Sequence, residues 1–440
     1  MRLRKVTLNN FRCFERLEVD LHPQLTVIVG ENAWGKTAIL DGIACALSPV
    51  LTYLSSANQR LSGRGIQDTD FRIVQLPAWG GNQRWGKADV TQLEAETTEG
   101  LKWDVWRAAT QGKKPEHIEG QTALKHYLQT VTMGYGELEP KPTPVIAFYG
   151  ASRGYIEVPQ RVRRTKVDYD YPATALLNAL EAFTNFRELL AWFDRAESTE
   201  LRKNKGLPVS EFVTSPILDA VREAILELLR GEYVNPHFNG VHKFVVQRKS
   251  DGAELFVDQL SQGYQSMLAL TMDFARRLGI ANPFIENVRN GEGIMLIDEV
   301  DIHLHPTWQQ RVLDDLMKAF PNTQIIVTTH SPQVLSTVSR EHIRKLQPEG
   351  GIIKAEIPDF SPLAHESGAA LARVMDTHRE PRLPIQENIR RFEQLMRAGQ
   401  EDSEEAQTLR ELIEAMGYQF LDSDLRKWAL LGRLKKRGED

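Results

Sequence analysis

The chain has 440 residues, of which 41% are hydrophobic and 26% are charged, a composition typical of globular proteins with a large apolar core. This length is sufficient for two or three domains. The formal net charge of −5 argues against a protein whose whole surface attracts nucleic acid, although it leaves local basic patches open.

The two cysteines and the N-terminus bear on where the protein works. Cys13 and Cys45 form no metal-binding pattern, which favours a reducing compartment. The first eleven residues, MRLRKVTLNNF, are basic but lack the apolar segment of a signal peptide. No apolar run approaches about 18 residues. We therefore expect a cytoplasmic protein with no membrane-spanning segment.

The N-terminal region predicts a strand, a loop and a helix in that order. Apolar patterning predicts strands at residues 3–10, 17–21 and 25–29. The third strand leads into residues 30–37, Gly-Glu-Asn-Ala-Trp-Gly-Lys-Thr, which have the form G-x-x-x-x-G-K-[ST]. A helix is expected from residue 37 to residue 47, with a break at Ser48-Pro49. This context predicts a phosphate-binding loop.

The residue types in this loop predict how it would hold ATP. Loop residues with backbone N–H groups for the phosphates are Gly30, Asn32 and Gly35. Lys36 would reach the β- and γ-phosphates, and the Thr37 hydroxyl would be a ligand of Mg²⁺. The positive end of the helix dipole would add to the attraction.

Residues 50–250 are less regular. Segments that predict β-hairpins are 93–97 with 101–106, and 241–247 with 254–257. Residues 145–149 predict a buried strand, and helical spacing begins near Phe186 and Ile217. The charged residues 200–206 are expected to lie outside the core. The basic residues between 155 and 172 leave two interpretations open, a solvated loop or a contact with a phosphate backbone.

The last third returns to alternating strands and helices. Strands are expected at 294–297 and 324–328, with one helix over 307–320 between them, which predicts a parallel sheet. Two carboxylates, Asp298 and Glu299, follow the first of these strands. A strand would deliver both to the carboxyl edge of the sheet, where Asp298 can hold Mg²⁺ and Glu299 can polarise a water molecule.

Residues 260–265, LSQGYQ, resemble the LSGGQ signature motif of ABC-type ATPases. In that superfamily the motif binds the γ-phosphate of a nucleotide held by the other subunit. The resemblance therefore implies that Ser261 and Gly263 contact ATP across a dimer. Gln262 and Tyr264 depart from the consensus.

Three further runs resemble RecF-like and OLD-like ATPases. Residues 299–306 resemble their E-x-x-x-H-L-H-P run, and residues 328–332 resemble their T-T-H-S-P switch, which implies that His330 senses the γ-phosphate. Residues 9–14 resemble their N-F-R-x-F opening, which implies that Arg12 lies near the nucleotide.

Several positions remain open at this stage. His303 and His305 are either structural or metal ligands. Trp34 is unusual in these loops and could pack on a partner subunit or on its own lobe, and Ala33 stands where many relatives have glycine. Candidates for the superfamily's Q-loop glutamine are Gln67, Gln75 and Gln83.

These motifs lie in two blocks, residues 1–48 and 255–340, and resemble compact AAA-family ATPases of the ABC type from bacterial anti-phage defence, such as the ATPase subunit of Septu systems and a related one in some retrons. Runs at 149–154 and 374–384 add to this resemblance. The resemblance implies a homodimer or a higher even-numbered oligomer, a partner nuclease of the HNH type, and nucleic acid contacted through that complex. The motifs leave no metal-nuclease cluster over, so we expect no nuclease activity of the chain itself, and the hydropathy predicts no membrane. A RecF- or SMC-like DNA-repair ATPase that clamps DNA is the alternative. A transporter engine is disfavoured by the long interval between loop and signature.

The expected architecture is an α/β fold: an ABC-type P-loop ATPase head with a mostly helical insertion and a small C-terminal helical tail. The expected domains are residues 1–48 and 241–375 for the two parts of the ATPase core, 49–240 for the hairpin and helical insertion, and 376–440 for the tail. Apolar stripes around Phe392, Leu409 and Trp428 predict tail helices that could dock a partner or pack on their own domain.

Overall fold

The computed structural model describes residues 1–56, 59–79, 82–137, 140–154, 169, 171–182, 185–241, 243–377 and 383–437. They belong to two compact units, Met1–Met375 and Asp376–Asp440. The strands are β1 (Leu3–Phe11), β2 (Phe14–Asp20), β3 (Leu25–Val29), β4 (Ile73–Trp79), β5 (Asn82–Lys87), β6 (Val90–Thr97), β7 (Lys102–Ala108), β8 (Val145–Tyr149), β9 (Tyr233–Phe238), β10 (Phe244–Arg248), β11 (Glu254–Phe256), β12 (Gly293–Ile297), β13 (Thr323–Thr328), β14 (Ile343–Glu349) and β15 (Ile352–Glu356). The helices are α1 (Lys36–Leu54), α2 (Thr122–Met133), α3 (Phe186–Lys203), α4 (Pro216–Leu228), α5 (Gln262–Ala281), α6 (Pro306–Gln309), α7 (Val312–Ala319), α8 (Pro332–Leu335), α9 (Ser367–Arg373), α10 (Ile385–Arg397), α11 (Glu404–Ala415) and α12 (Asp422–Arg437).

A six-stranded sheet forms the centre of the first unit, in the order β15-β14-β3-β13-β12-β8. The neighbours from β14 to β8 run parallel, and β15 is antiparallel to β14. Every residue of β3, β8, β12 and β13 is buried. Strands that are buried on both faces read as continuous apolar runs, which is why the sequence identified these four. The predicted α/β fold with a parallel sheet is confirmed.

The two faces of this sheet are covered differently. Val27, Met295 and Ile325 belong to a core shared with α3, α4, α5 and α7. Their neighbours along the strands, Ile28 and Leu296, belong to a second core with α1 and an antiparallel sheet. That sheet has the order β2-β1-β6-β7 and contains the predicted hairpin of β6 and β7. The alternation follows from the two-residue period of a strand.

Helix α1 does not break at Ser48-Pro49, as the sequence predicted, but continues to Leu54 with Pro49 inside it. A proline removes one helical hydrogen bond. Here burial of nearly every side chain from Ala38 to Leu51 stabilises the helix enough to tolerate that loss. By length and composition α1 could also cross a bilayer, so the expectation that no segment reaches this size is wrong. However, 83% of its apolar window is buried in the fold, as in a core helix.

The charged stretch 200–206 was expected outside the core, and this is wrong for Asn204, which is buried, and for Glu200, which is buried within α3. Its carboxylate accepts a hydrogen bond of 2.8 Å from Arg222 on α4 and one of 2.6 Å from the Ser215 backbone. A buried carboxylate is tolerated when it is paired in this way. The pairing partners lie in another helix, so the local sequence did not reveal them.

The single helix predicted over 307–320 is two helices, α6 and α7. The break follows from contacts of Gln309, whose side chain donates to the Leu304 carbonyl at 2.9 Å and accepts from the Ser331 hydroxyl at 2.7 Å. Arg311 is the N-cap residue of α7, and its guanidinium lies 4.2 Å from the centroid of the Trp308 ring. Helix α2 and strands β4, β5, β9 and β14 were not predicted from the sequence.

The second unit is a small helical bundle of α10, α11 and α12. Its apolar stripes pack on one another around Phe392, Ile413 and Trp428, with Leu409 partly buried against them. Of the two alternatives that the sequence left open for these stripes, the structure shows packing within their own unit, since the stripes form this unit's core. Exposed apolar side chains among the described residues of this unit are Leu383, Leu412, Met416, Leu421, Leu430 and Leu431.

Candidate nucleotide-binding site

The predicted phosphate loop and the acidic pair lie at one edge of the central sheet, where four strands end. The backbone N–H of Asp298 donates to the Tyr149 carbonyl at 2.8 Å, which joins the ends of β12 and β8. Val300 donates to the Thr328 carbonyl at 2.9 Å, which joins β12 to β13. Ligand sites of parallel sheets lie at this carboxyl edge.

The loop between β3 and α1 has two residues in the left-handed region, Ala33 with φ of 70° and Gly35 with φ of 86°. A Cβ at Gly35 would lie 2.6 Å from Cys13 Sγ and 2.5 Å from Phe14 Cζ, so only glycine fits. Ala33 adopts a conformation that costs an L-residue about 1–2 kcal/mol. That strain explains why a glycine suits this position better.

Lys36 is buried at the start of α1, and its Nζ donates to the carbonyl oxygens of Gly30 and Glu31, each at 2.9 Å. Burial lowers the pKa of Lys36, while Asp298 and Glu299 act in the opposite direction. The ammonium thus sits inside the loop, bonded to groups that a phosphate oxygen could replace.

Thr37 and Asp298 come together. The Thr37 hydroxyl donates to the Asp298 carboxylate, with distances of 3.0 Å to Oδ2 and 3.2 Å to Oδ1. On its other side, Asp298 accepts a 2.6 Å hydrogen bond from the Thr328 hydroxyl. Asp298 is buried, whereas Thr37 is exposed at the mouth of the loop. Thr328 holds the carboxylate, although the sequence suggested no role for it.

This oxygen pair fits Mg²⁺ as it is bound beside phosphates. Within the described residues, no three His, Cys, Asp or Glu side chains converge as a self-sufficient metal site would require. Mg²⁺ at nucleotide sites takes one or two protein oxygens and completes its shell with phosphates and water. The hydroxyl of Thr37 and the carboxylate of Asp298 match that donor set.

Glu299 is half-buried beside Asp298 and has φ of 48°. Its backbone N–H donates to the Thr328 hydroxyl at 2.7 Å. Its carbonyl accepts a 2.6 Å hydrogen bond from Arg153, a residue to which sequence reasoning gave no role. Arg153 stands in the run 149–154 that contributed to the family resemblance.

His330 follows β13 and is half-buried. Burial lowers the pKa of His330, and the positive charge of Lys36 lowers it further, while neighbouring carboxylates including Asp301 act in the opposite direction. Asp301 itself accepts a hydrogen bond from Thr329. These interactions place His330 within the electrostatic reach of Lys36 and favour a neutral imidazole.

Ser261 and Gly263 lie at the N-terminus of α5. Ser261 is the N-cap residue, is exposed, and makes no side-chain capping bond. Gly263 is buried, and a Cβ there would lie 2.7 Å from the His303 carbonyl oxygen. The signature-like run therefore packs through Gly263 on the loop that follows the acidic pair, while Ser261 stays exposed.

The side chain of Arg12 is engaged by two carboxylates. It donates to Asp70 at 2.9 Å and to Asp41 at 2.6 Å, and Arg64 pairs with the same two acids. Asp41 lies one turn along α1 from Thr37, so this cluster braces the helix that follows the phosphate loop. In this arrangement the connection between Arg12 and the phosphate loop is indirect, through its hydrogen bond to Asp41 on α1.

The structure also places the residues whose roles were open. Trp34 packs against the core of its own lobe, next to Gly30. His305 is an N-cap that accepts from the Thr307 backbone, a structural role, and His303 has φ of 59°. The basic residues 155–168 lie outside the described residues.

The three glutamines considered for the Q-loop all lie in the segment between α1 and β6. Gln67 caps a 3₁₀ helix and donates to the Gly65 carbonyl. Gln75 and Gln83 lie on the hairpin of β4 and β5. The Q-loop assignment stays open.

Two families of ATPase domains match this chain. The family described as "AAA domain, putative AbiEii toxin, Type IV TA system" matches residues 155–336, and the family described as "AAA domain" matches residues 5–206. Together the two matches span the phosphate loop, the signature-like run and the acidic pair.

Three curated proteins illustrate the similarity. The retron Vc95 probable ATPase of Vibrio cholerae serotype O1 biovar El Tor is 27% identical over 455 residues, which cover 91% of this chain and 85% of that protein. The Septu protein PtuA of Bacillus mycoides is 24% identical over 344 residues, covering 75% and 38% respectively. The DNA replication and repair protein RecF of Heliobacterium modesticaldum is 23% identical over 352 residues, covering 75% and 92%.

Proposed function

Because this chain belongs to the AAA-family ATPases of the ABC type, we propose that it binds ATP with Mg²⁺, hydrolyses it within a dimer, and so regulates a partner nuclease of the HNH type in bacterial anti-phage defence. The observation that carries the ATPase part is the meeting of Thr37 with Asp298 beside the buried Lys36. The defence role is supported by the similarity to a retron ATPase and to a Septu protein.

Binding of the triphosphate is the first step. The backbone of Gly30, Asn32 and Gly35 would curl around the β-phosphate, at the positive end of α1. Lys36 would exchange its bonds to the loop carbonyls for the β- and γ-phosphate oxygens. Because Lys36 is already buried in the loop, little side-chain reorganisation is needed.

Thr37 and Asp298 would hold Mg²⁺, which supplies charge neutralisation at the β- and γ-phosphate oxygens. Asp298 is kept in place by the Thr328 hydroxyl at 2.6 Å. Because the side chain of Thr37 is exposed, the side of the Thr37–Asp298 pair that would face Mg²⁺ is open to solvent.

Glu299 would accept the proton of the attacking water. The water oxygen bonds to the γ-phosphorus as the bond from that phosphorus to the bridging oxygen breaks, and ADP leaves. His330, whose pKa is lowered by burial and by Lys36, would hydrogen-bond the γ-phosphate. General base and hydrogen-bond donor then lie on neighbouring strand ends, β12 and β13.

Dimerisation would complete the site. Ser261 is exposed at a helix N-terminus, where backbone N–H groups are free to bind an anion. A second copy would place Ser261 and the Gly263 backbone against the γ-phosphate of this chain. The homodimer, or a higher even-numbered oligomer, would then depend on ATP, which gives a two-state element for a partner to sense.

The second unit is the proposed docking element for the nuclease. Its buried stripes hold it together, while Leu412, Met416 and Leu421 remain exposed. Exposed apolar side chains on a separately packed unit suit a protein partner. The complex would act in the cytoplasm and contact nucleic acid through the nuclease, and this chain would have no nuclease activity of its own.

A second candidate function is that of a DNA-repair ATPase that clamps DNA, which the similarity to RecF favours. The two candidates differ in the partner. A defence ATPase requires a nuclease, whereas a clamp binds duplex DNA by itself in the presence of ATP.

The experiment is co-expression of the chain with a tagged HNH nuclease from its own operon. We expect the full chain to co-purify with the nuclease and to make DNA cleavage depend on ATP. A chain lacking residues 376–440 should keep its ATPase activity and lose the nuclease. Retention of the nuclease by the truncated chain would contradict docking through the second unit. ATP-dependent binding of duplex DNA by the chain alone, with no effect on the nuclease, would select the clamp.

A further inference from the structure

We propose that Arg153 is a positioning residue for ATP hydrolysis, which fixes the backbone that carries Glu299 and so aims its carboxylate. This inference rests on the proposed ATPase function. Arg153 would act through the peptide groups at the end of β12.

The guanidinium of Arg153 spans the ends of two strands. Its Nη1 donates to the carbonyls of Gly150, at 3.1 Å, and of Asp298, and its Nη2 donates to the Glu299 carbonyl at 2.6 Å. The planar fork of an arginine can hold two adjacent acceptors at once, which a lysine ammonium cannot match in geometry. Arg153 therefore links the peptide groups of Asp298, the proposed metal ligand, and Glu299, the proposed general base, to the end of β8.

Glu299 needs such support because its backbone is strained. It has φ of 48°, a conformation that non-glycine residues adopt at a cost. The Thr328 hydroxyl holds the N–H side of this residue at 2.7 Å, and Arg153 holds its carbonyl side. Because both peptide groups that flank the Glu299 Cα are held, the direction in which its side chain leaves the backbone is fixed as well.

Arg153 is only 4% exposed, and its Nε has no hydrogen-bond partner among the residues that the structure describes. Burial lowers its pKa to about 10, so it stays charged at neutral pH. A buried cation with an unmet donor destabilises a fold. Packing alone therefore does not explain why a guanidinium is buried here, whereas the alignment of the Asp298 and Glu299 carbonyls does.

The groups that would bind the phosphates lie on another part of the loop edge. Lys36 bonds to Gly30 and Glu31, and Thr37 bonds to the Asp298 side chain. The hydrogen bonds of Arg153 within the described residues go to backbone carbonyls instead. Loss of Arg153 should therefore slow the chemical step and spare nucleotide binding.

The test compares Arg153→Met and Arg153→Lys in the full-length chain. We expect Arg153→Met to lower kcat by about 100-fold, the size of effect that a 1 Å displacement of a reacting group can cause. The Kd of a fluorescent ATP analogue should stay within roughly 3-fold of wild type, which is less than 1 kcal/mol. The kcat of Arg153→Lys should lie between those of the wild type and Arg153→Met, since an ammonium can satisfy one carbonyl well.

A double variant separates positioning from simple loss of structure. If Arg153 acts through Glu299, adding Arg153→Met to Glu299→Gln should lower kcat little further, because both changes disable one group. Arg222→Met is the matched control, since Arg222 also bonds a buried carboxylate, that of Glu200. It should lower the melting temperature and leave kcat unchanged.

The outcomes separate the two proposals. A wild-type kcat for Arg153→Met, an equal loss of ATP affinity and kcat, or multiplicative losses in the double variant would each overturn the role of Arg153. A wild-type chain that binds no ATP would overturn the ATPase proposal, and the role of Arg153 with it.

Discussion

The hydroxyl of Thr37 lies 3.0 Å from Oδ2 of Asp298, although 261 residues separate them in the chain. The meeting follows from strand order, because β3 and β12 both pair with β13 and end at the same edge of the sheet. A loop after the first strand and an acid after the second must then face each other. The proposed magnesium site is thus a consequence of the parallel sheet.

Lys36→Ala should abolish ATP binding. Lys36 is the ammonium that the loop encloses, and its removal leaves the β- and γ-phosphates without their principal cationic partner. Isothermal titration with ATP should show no heat of binding at concentrations that saturate the wild type. Lys249→Ala, at an exposed hairpin lysine, is the control and should bind normally. An unchanged Kd for Lys36→Ala would remove the phosphate-loop assignment.

Asp298→Asn should raise the Mg²⁺ concentration needed for hydrolysis. An amide oxygen in place of Oδ1 can still accept from Thr328 and from Thr37, so the geometry survives while the negative charge is lost. We expect a shift of roughly 10- to 100-fold, the range found when groups that support a metal are altered. Titration of ATPase activity with MgCl₂ measures it, and Asp20→Asn, an exposed acid on β2, should show no shift. Equal titration curves for wild type and Asp298→Asn would exclude Asp298 from the metal site.

What the sequence predicted well was local. The strand, loop and helix around Lys36 are contiguous, and Asp298 and Glu299 directly follow an apolar strand, so spacing alone located them. The buried parallel strands could be predicted from the sequence equally well, because a strand covered on both faces is apolar throughout.

What the sequence missed depends on contacts between distant segments. Arg153 and Asp298 are separated by 145 residues, and they meet through a backbone carbonyl, which leaves no mark on the acceptor's residue type. Pro49 suggested a helix end, but burial in the core outweighed that preference. For the stripe around Trp428, docking of a partner and packing within the unit both stayed open, because the sequence does not show which helices pack together.

Ala33 offers a test of strain in the phosphate loop. It is exposed with φ of 70°, so substitutions there change backbone energy and little packing. Glycine relieves about 1–2 kcal/mol of strain and costs about 0.5–1 kcal/mol in unfolded-chain entropy, so Ala33→Gly should be as stable as wild type or slightly more so. Ala33→Val should be less stable, since a β-branched residue tolerates positive φ poorly. Thermal unfolding measures the order, and a Val variant equal to wild type would contradict the loop geometry.

Ser261 should act on nucleotide held by a second copy. Ser261→Arg places a large cation at an exposed cap without the clash that any side chain at Gly263 would make with His303. Alone, this variant should bind ATP through its own Lys36 and hydrolyse it poorly. Mixed with Lys36→Ala chains, it should regain activity, because each mixed dimer has one intact composite site.

The control for this mixture is each variant at the same total concentration. Neither should show the activity of the mixture. If both variants and their mixture are equally inactive, the shared site is wrong. Full activity of Ser261→Arg alone would show that the signature-like run takes no part.

The most direct test of an ATP-bound dimer is the molar mass of Glu299→Gln with Mg²⁺ and ATP. The substitution removes the carboxylate that would accept the proton and leaves Lys36, Thr37 and Asp298 in place, so hydrolysis should slow by roughly 10²- to 10⁴-fold while binding persists. Light scattering after size exclusion should show a mass near 50.0 kDa without nucleotide and twice that mass with ATP, with Lys36→Ala unchanged by ATP. A Glu299→Gln chain that binds ATP yet keeps one mass throughout, or that hydrolyses ATP at the wild-type rate, would contradict the account.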